Sequence, residues 1–378
     1  MQPPRDAPYP ELKASHTIER VGRPFTDRKP PPAAPVWAVI DGLGRYHVLV
    51  AALELDVFDT LGRLGPSSVD EVNAVLGCSP SHLRTLLDAV VALGLLDQVA
   101  GRYELNDTAR RYLVSDGPAT MAALVPVAPG PHDNWRHLAE TVRRGRPATP
   151  IEDDPAAFYL PLVEGTFTTM HRCATRSDRQ LRWSAMRAPR VLDLGAGAAP
   201  WAIAICEGNP SATAVVNDIP GVIEAAARAC DRFGVTDRVE FRPGDFHSIP
   251  IESESYDIVV LGHVCRTEGA DGTRALLARA FSALRPEGLL ILADYFVDPE
   301  HKSPHAVVMA ATMMASTVHG NGFTTDEYAG WIRDAGFEAI RLIEPIGFQQ
   351  QLVAVRPRLP VRRTATNDTG GDRWNRSI

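Results

Sequence analysis

From Trp37 to about Arg182 the apolar positions recur with a helical period. Leu49, Leu53, Val57 and Leu61 form one stripe and predict a single amphipathic helix. A loop with Gly65-Pro66-Ser67-Ser68 leads into a short helix over 69–75. Ser79 is placed to cap the next helix and Pro80 to open it, where a missing N–H costs nothing. That helix presents Leu83, Leu86, Leu87, Val90 and Leu93 on one face and ends near Gly94. The segment LLDQVAGRYELN then alternates about Ala100-Gly101 as a small hairpin. Helices followed by a hairpin describe a winged helix.

From Pro189 to Arg356 the period changes. Buried-type strands are predicted at 190–194, 213–217, 239–243, 256–262 and 288–294, with helices at 200–207, 221–232, 271–284 and 325–335. This alternation implies a mostly parallel sheet covered by helices on both faces. The last two segments, 338–343 and 351–356, are joined by the short proline-containing link Glu344–Phe348, too short for a crossover. They must pair antiparallel. The domain organisation is then a proline-rich arm over 1–35, which holds nine prolines, a helical winged-helix domain over 36–182, an α/β domain over 183–357 and a polar tail over 358–378.

A net charge of −7 argues against nucleic acid as a partner, since such binding neutralises phosphates with lysine and arginine. The helix SPSHLRTLLDAVVALG, which would have to read a DNA groove, offers only His82 and Arg84. No stretch reaches ~20 uninterrupted apolar residues, so no membrane span is expected. The five scattered cysteines form no CxxC pair and suit a reducing cytoplasm without a structural zinc or disulfide framework; no metal is expected.

Ligands of open α/β sheets bind beyond the carboxyl ends of the strands. The first strand runs into Asp193-Leu194-Gly195-Ala196-Gly197, a turn that lets a ligand approach backbone in front of a helix amino terminus. Pro200 stands where a dinucleotide fingerprint has its third glycine. Asp193 puts a carboxylate where a pyrophosphate would be repelled and an ammonium group attracted. Both features argue against a nicotinamide dinucleotide. Asp218, with Ile219 beside it, ends the second strand and suits ribose hydroxyls. Asp245-Phe246 ends the third and suits an adenine. The fourth delivers His263, a candidate base, and the fifth ends at Asp294, placed to steady it. Phe158, Phe167, Met170, Met313, Met314 and His319 are candidates to line an acceptor pocket, with core packing the alternative for the apolar ones.

The chain resembles the bacterial relatives of the caffeate-type O-methyltransferases. The likeness spans roughly 40–356 and includes ALELDVFDTL, LRTLLDAVVALGLL, VLDLGAGAAP, NDIP, GDF, LRPEG and DEYAGWIRDAGF. It implies a Rossmann-like class I methyltransferase fold, with strand order 3-2-1-4-5-7-6 and a winged-helix dimerisation domain. It further implies a homodimer and S-adenosyl-L-methionine (SAM) as cofactor. A small-molecule acceptor, with an aromatic hydroxyl of a natural-product intermediate, completes the picture. On this resemblance Asp193, Gly195 and Gly197 hold the SAM amino-acid portion, Asp218 the ribose, Asp245 and Phe246 the adenine, and His263 is the base. The chain departs from the family where His263-Val264-Cys265-Arg266-Thr267-Glu268 lacks the usual aromatic residue and first acid. The second acid that flanks the base falls on Gly322. C-methylation of an aromatic amino acid or keto acid, SAM-retaining hydroxylase or decarboxylase chemistry, and a SAM-sensing winged helix therefore stay open.

Overall fold

The computed structural model describes residues 33–128, 130, 132–346 and 349–358. The expected arm and tail fall almost wholly outside the described residues. Two compact units divide at residues 49 and 50. The first helix, α1 (Ala34–Glu54), is apolar and largely exposed, with Val36, Trp37, Val39, Ile40 and Leu43 in the open. By length and composition it could cross a membrane, although it holds no uninterrupted apolar run of ~20 residues.

The stripe through Leu61 is two helices, not one. Asp56 takes a left-handed backbone (φ 55°), which ends α1 and starts α2 (Val57–Leu64). Next come α3 (Val69–Leu76), held by a Ser68–Glu71 capping box, and α4 (Pro80–Ala92). Ser79 does not cap α4 as expected; its hydroxyl meets His82 Nδ1 at 2.9 Å, while Pro80 does open the helix. Strands β1 (Asp97–Val99) and β2 (Arg102–Glu104) form the wing. It turns at Ala100 and Gly101, both at positive φ, and gains a third edge where Ser67 bridges Tyr103. Helices α5 (Asp107–Tyr112), α6 (His132–Arg136) and α7 (Leu138–Arg144) lead to the long α8 (Pro155–Leu181).

Helix α8 ends at Leu181, where Arg182 takes a left-handed backbone (φ 57°). Helix α8 supplies Phe167, Cys173, Ala174 and Leu181 to the core beneath the large sheet. That sheet is built from β3 (Arg190–Leu194), β4 (Thr213–Asp218), β5 (Val239–Pro243), β6 (Tyr256–Gly262) and β7 (Leu284–Asp294), all parallel. The antiparallel β8 (Glu338–Ile346) and β9 (Gln349–Val355) complete it. Its order is β5-β4-β3-β6-β7-β9-β8, which counted from β3 is the expected 3-2-1-4-5-7-6. Helices α8, α9 (Pro200–Gly208) and α10 (Pro220–Arg232) pack on one face; α11 (Cys265–Ala283) and α13 (Thr325–Asp334) pack on the other. The remaining helix, α12 (Pro304–Ser316), follows β7.

Helix α11 begins six residues before the expected start. Its first turn is set off by Gly269 (φ 67°, ψ −171°), where a Cβ would lie 2.5 Å from the His319 carbonyl oxygen. The separated turn carries Arg266 and Glu268 at the carboxyl end of β6.

Candidate active site

Parallel pairing brings the ends of β5, β4, β3, β6 and β7 side by side, and with them the acids read from the sequence. Asp193 is 1% exposed. Its Oδ2 accepts from Ala202 N in the first turn of α9 (3.2 Å), while Oδ1 is buried without a partner. Burial pushes its carboxyl up to about 7, and Asp218 nearby adds to the effect. Asp218 stitches the glycine turn to β4: its Oδ2 accepts from Gly197 N (2.7 Å) and its Oδ1 from Ile219 N (2.8 Å). Burial raises its carboxyl too, against the pull of those two N–H donors.

The turn itself requires glycine. Gly195 sits at φ 63°, and a Cβ there would lie 2.3 Å from Val264 Cγ1 and 3.4 Å from the Phe246 ring. The Phe246 ring therefore lies along the turn, half-buried, and Asp245 stands exposed with Oδ1 accepting from His247 N. Two supports escaped the sequence reading. Asn217, fully buried, donates to the Arg242 and Gly244 carbonyls and holds the loop after β5 against β4. His247 Nε2 lies 2.6 Å from Glu268 Oε2 and ties the same loop to the first turn of α11.

At the end of β6 a third side chain enters the expected pair. His263 and Asp294 do come together, but Nδ1 to Oδ1 is 3.6 Å, too long for a hydrogen bond. Arg266 occupies the space: its guanidinium donates to Asp294 Oδ1 (2.7 Å) and to His263 Nδ1 (2.8 Å), and its backbone N–H donates to Asp294 Oδ2 (3.2 Å). Tyr295 N adds a donor to Oδ1 at 2.9 Å. Burial alone would raise the Asp294 carboxyl; Arg266 beside it overrides this and holds it well below the usual carboxylate range. His263 is pushed down by burial, against the pull of Asp294 and with the Arg266 charge adding to the lowering. Its Nε2 is buried beside Gln349 without a hydrogen-bond partner; the Gln349 amide nitrogen donates to Met170 Sδ, and its Oε1 is likewise unpartnered. Arg266 was visible in the sequence only as the basic residue of the run that departs from the family pattern.

The acceptor candidates separate. Met170 reaches the His263 cluster through Gln349. Phe167 does not: it is buried in the core, stacked on His171 (5.4 Å, 10°) with Arg232 over its ring. Phe158 is half-buried and meets Tyr159 edge-on. Met313 is buried under Gly320, in the loop whose Asn321 N donates to the Arg266 carbonyl, and Met314 is half-buried. His319 is exposed, with its carbonyl oxygen, not its ring, against α11. Gly322 admits no side chain at all, because a Cβ would lie 2.4 Å from Ala310 and 2.7 Å from Val297. Among the described residues no group of three His, Cys, Asp or Glu side chains is placed to hold a metal ion.

This sheet order, with acids at three adjacent strand ends around a two-glycine turn, defines the class I SAM-dependent methyltransferases. The comparisons with known proteins agree. The model of the O-methyltransferase domain matches residues 135–338, and that of the O-methyltransferase dimerisation domain matches 37–115. The chain is 30% identical to the 3-hydroxy-5-methyl-1-naphthoate 3-O-methyltransferase of Streptomyces sahachiroi, over 80% of this chain and 88% of that one. It is 31% identical to the acetylserotonin O-methyltransferase of Mus musculus, over 83% and 86%. Human N-acetylserotonin methyltransferase, solved in complex with SAM, shares the fold at a TM-score of 0.74 and 22% identity, over 88% and 100% of the two chains. The chain belongs to the O-methyltransferase family and is a SAM-dependent enzyme.

Proposed function

We propose that this enzyme methylates an aromatic hydroxyl of a small natural-product intermediate. Two features fit SAM to the β3–β5 ends: a buried carboxylate oxygen without a partner at Asp193, and a turn at Gly195 and Gly197 that a side chain would obstruct. Asp193 would hold the ammonium group, Asp218 with Ile219 the ribose, and Asp245 with Phe246 the adenine. SAM bound there supplies a methyl carbon on a positively charged sulfur. The protein contributes position. Holding an acceptor oxygen in line with that carbon is worth roughly 7–11 kcal/mol in favourable cases.

The aromatic acceptor is supported by the Streptomyces relative, named for methylation of a naphthoate hydroxyl, and by the tetracenomycin 8-O-methyl transferase of Streptomyces glaucescens. The exposed apolar side of α1, inside the dimerisation match, supports a homodimer, and five free cysteines suit a reducing cytoplasm. The observation that carries the reading is the unpartnered Asp193 oxygen. The test is titration calorimetry with SAM, S-adenosylhomocysteine and NAD, followed by NMR of the methylated product. Binding of the first two and a methyl on oxygen are expected. Asp218→Ala should weaken SAM about 10–150-fold, the effect of losing hydrogen bonds to a charged group. NAD binding in their place, or a methyl on carbon, would refute the proposal.

A further inference from the structure

His263 Nδ1 is engaged by Arg266, and Nε2 lies beside Gln349, buried and without a hydrogen-bond partner. Arginine has donors and no acceptor, so the 2.8 Å contact makes Nδ1 the acceptor and places the imidazole proton on Nε2. The neighbour on the other side agrees. Gln349 spends its amide donor on Met170 and so presents an oxygen, which suits an Nε2–H. A second proton on Nδ1 would point at a permanent cation. Asp294, which would otherwise draw that proton, is already satisfied by Arg266 and Tyr295 N.

The remaining groups around the ring do not supply a base for it. Tyr295 packs against it at 5.0 Å and in turn meets His305 of α12. Cys265 beside Arg266, Cys173 on α8 and the Tyr159 hydroxyl are all held protonated by burial. Gly322, on which the resemblance places a second acid, leaves no room for a side chain.

We infer that His263 is a positioning residue locked as the neutral Nε2–H tautomer, and that the enzyme acts on acidic aryl hydroxyls, which reach the cleft already ionised. This rests on the reading of the cleft as a site of O-methyl transfer. The acceptor gives its proton to solvent before it binds. The aryl oxide then forms the O–C bond to the methyl carbon as the C–S bond breaks, and that electron pair returns to sulfur, so no proton remains to be removed. The selectivity follows from magnitude. A phenol as weak as tyrosine's, losing its proton near pH 10, is only about one part in a thousand ionised at pH 7. An acceptor three units more acidic starts with half its molecules competent.

The first test needs no acceptor. Two-bond nitrogen–proton NMR spectra of the full chain, with 15N-labelled histidines, report the tautomer; the His263 signal is the one missing from His263→Gln, or from His263→Asn if the glutamine variant does not fold. A neutral Nε2–H that does not titrate between about pH 5 and 8 is expected. An Nδ1–H, or a ring that gains a second proton in that range, would overturn the inference. The second test is initial rates against pH for phenols of graded acidity. Rates should fall about tenfold per pH unit below the ionisation of each acceptor, the limb should move with the acceptor, and it should stay in place in His263→Gln. A limb fixed near pH 6–7 for every acceptor and lost in His263→Gln would equally overturn it. Should SAM bind while no phenol is methylated, the aromatic-hydroxyl reading fails by itself, and the tautomer measurement still decides the role of His263.

Discussion

Asp193→Asn separates what the buried acid does for the ligand from what it costs the fold. The wild-type carboxyl is 1% exposed and ionises at about 7 instead of its usual 3.8. The folded chain therefore holds a proton that the unfolded chain has released across that interval, and stability must fall as pH rises through it. Each pH unit in the interval is worth about 1.4 kcal/mol, so the ionised group burdens the empty enzyme by about 4 kcal/mol above pH 7. Asparagine keeps an acceptor for Ala202 N, does not titrate, and pays only the unmade bonds of its amide, about 1–3 kcal/mol. Urea titrations at pH 5, 6, 7 and 8 should show the variant gaining on the wild type by about 3 kcal/mol between pH 5 and 7, then no further. SAM affinity at pH 8 should meanwhile fall about 10–150-fold, the worth of a charge-assisted hydrogen bond. Wild-type affinity should itself weaken below pH 7 as the carboxyl takes up its proton. A stability gap that stays constant with pH, or an unchanged SAM dissociation constant, would refute both the assigned ionisation and the ammonium site.

Two further substitutions probe the frame of the site. Gly195→Ala should cost about 2–4 kcal/mol in urea unfolding, from a left-handed backbone at φ 63° and a Cβ 2.3 Å from Val264; adding Val264→Ala should recover the steric part, and a cost below about 1 kcal/mol would refute the close approach. Arg266→Met leaves a fully buried carboxylate unpaired and should cost about 3–5 kcal/mol, with Asp294→Asn in the same chain restoring much of it; a single variant as stable as the double would show that the pair is not what holds this corner.

Much of this architecture is legible in the sequence because it follows from chain length and period. Strands alternating with helices dictate parallel pairing, and a link as short as 344–348 leaves 338–343 and 351–356 no way to pair except as a hairpin. The acids at 193, 218 and 245 are legible for the same reason, since a strand end fixes where the next residue points. What the sequence hides depends on single backbone torsions. Leu53, Val57 and Leu61 keep a helical spacing through a break at Asp56 that no periodicity reveals. Phe167 and Met170 lie one turn apart on α8 and share a hydrophobic character, yet one fills the core and the other meets Gln349. Arg266 matters only because Gly269 detaches the first turn of α11 and the loop at Asn321 closes on its carbonyl, and neither event has a linear signature.

Asp193 and Asp294 show how one residue type at two strand ends acquires opposite roles. Both close a central parallel strand and both are essentially inaccessible to water. Asp294 lies within reach of a guanidinium from its own chain and takes two backbone N–H donors besides, so its charge is largely met inside the protein. Asp193 meets one backbone N–H and no cation, so one of its oxygens stays unpartnered, as the proposed ammonium site requires. On the proposed reading, the site would bind a cation at β3 through an unsatisfied acid and would forgo a base at β6, where the acid is paired with Arg266. That division favours acceptors that arrive without a proton.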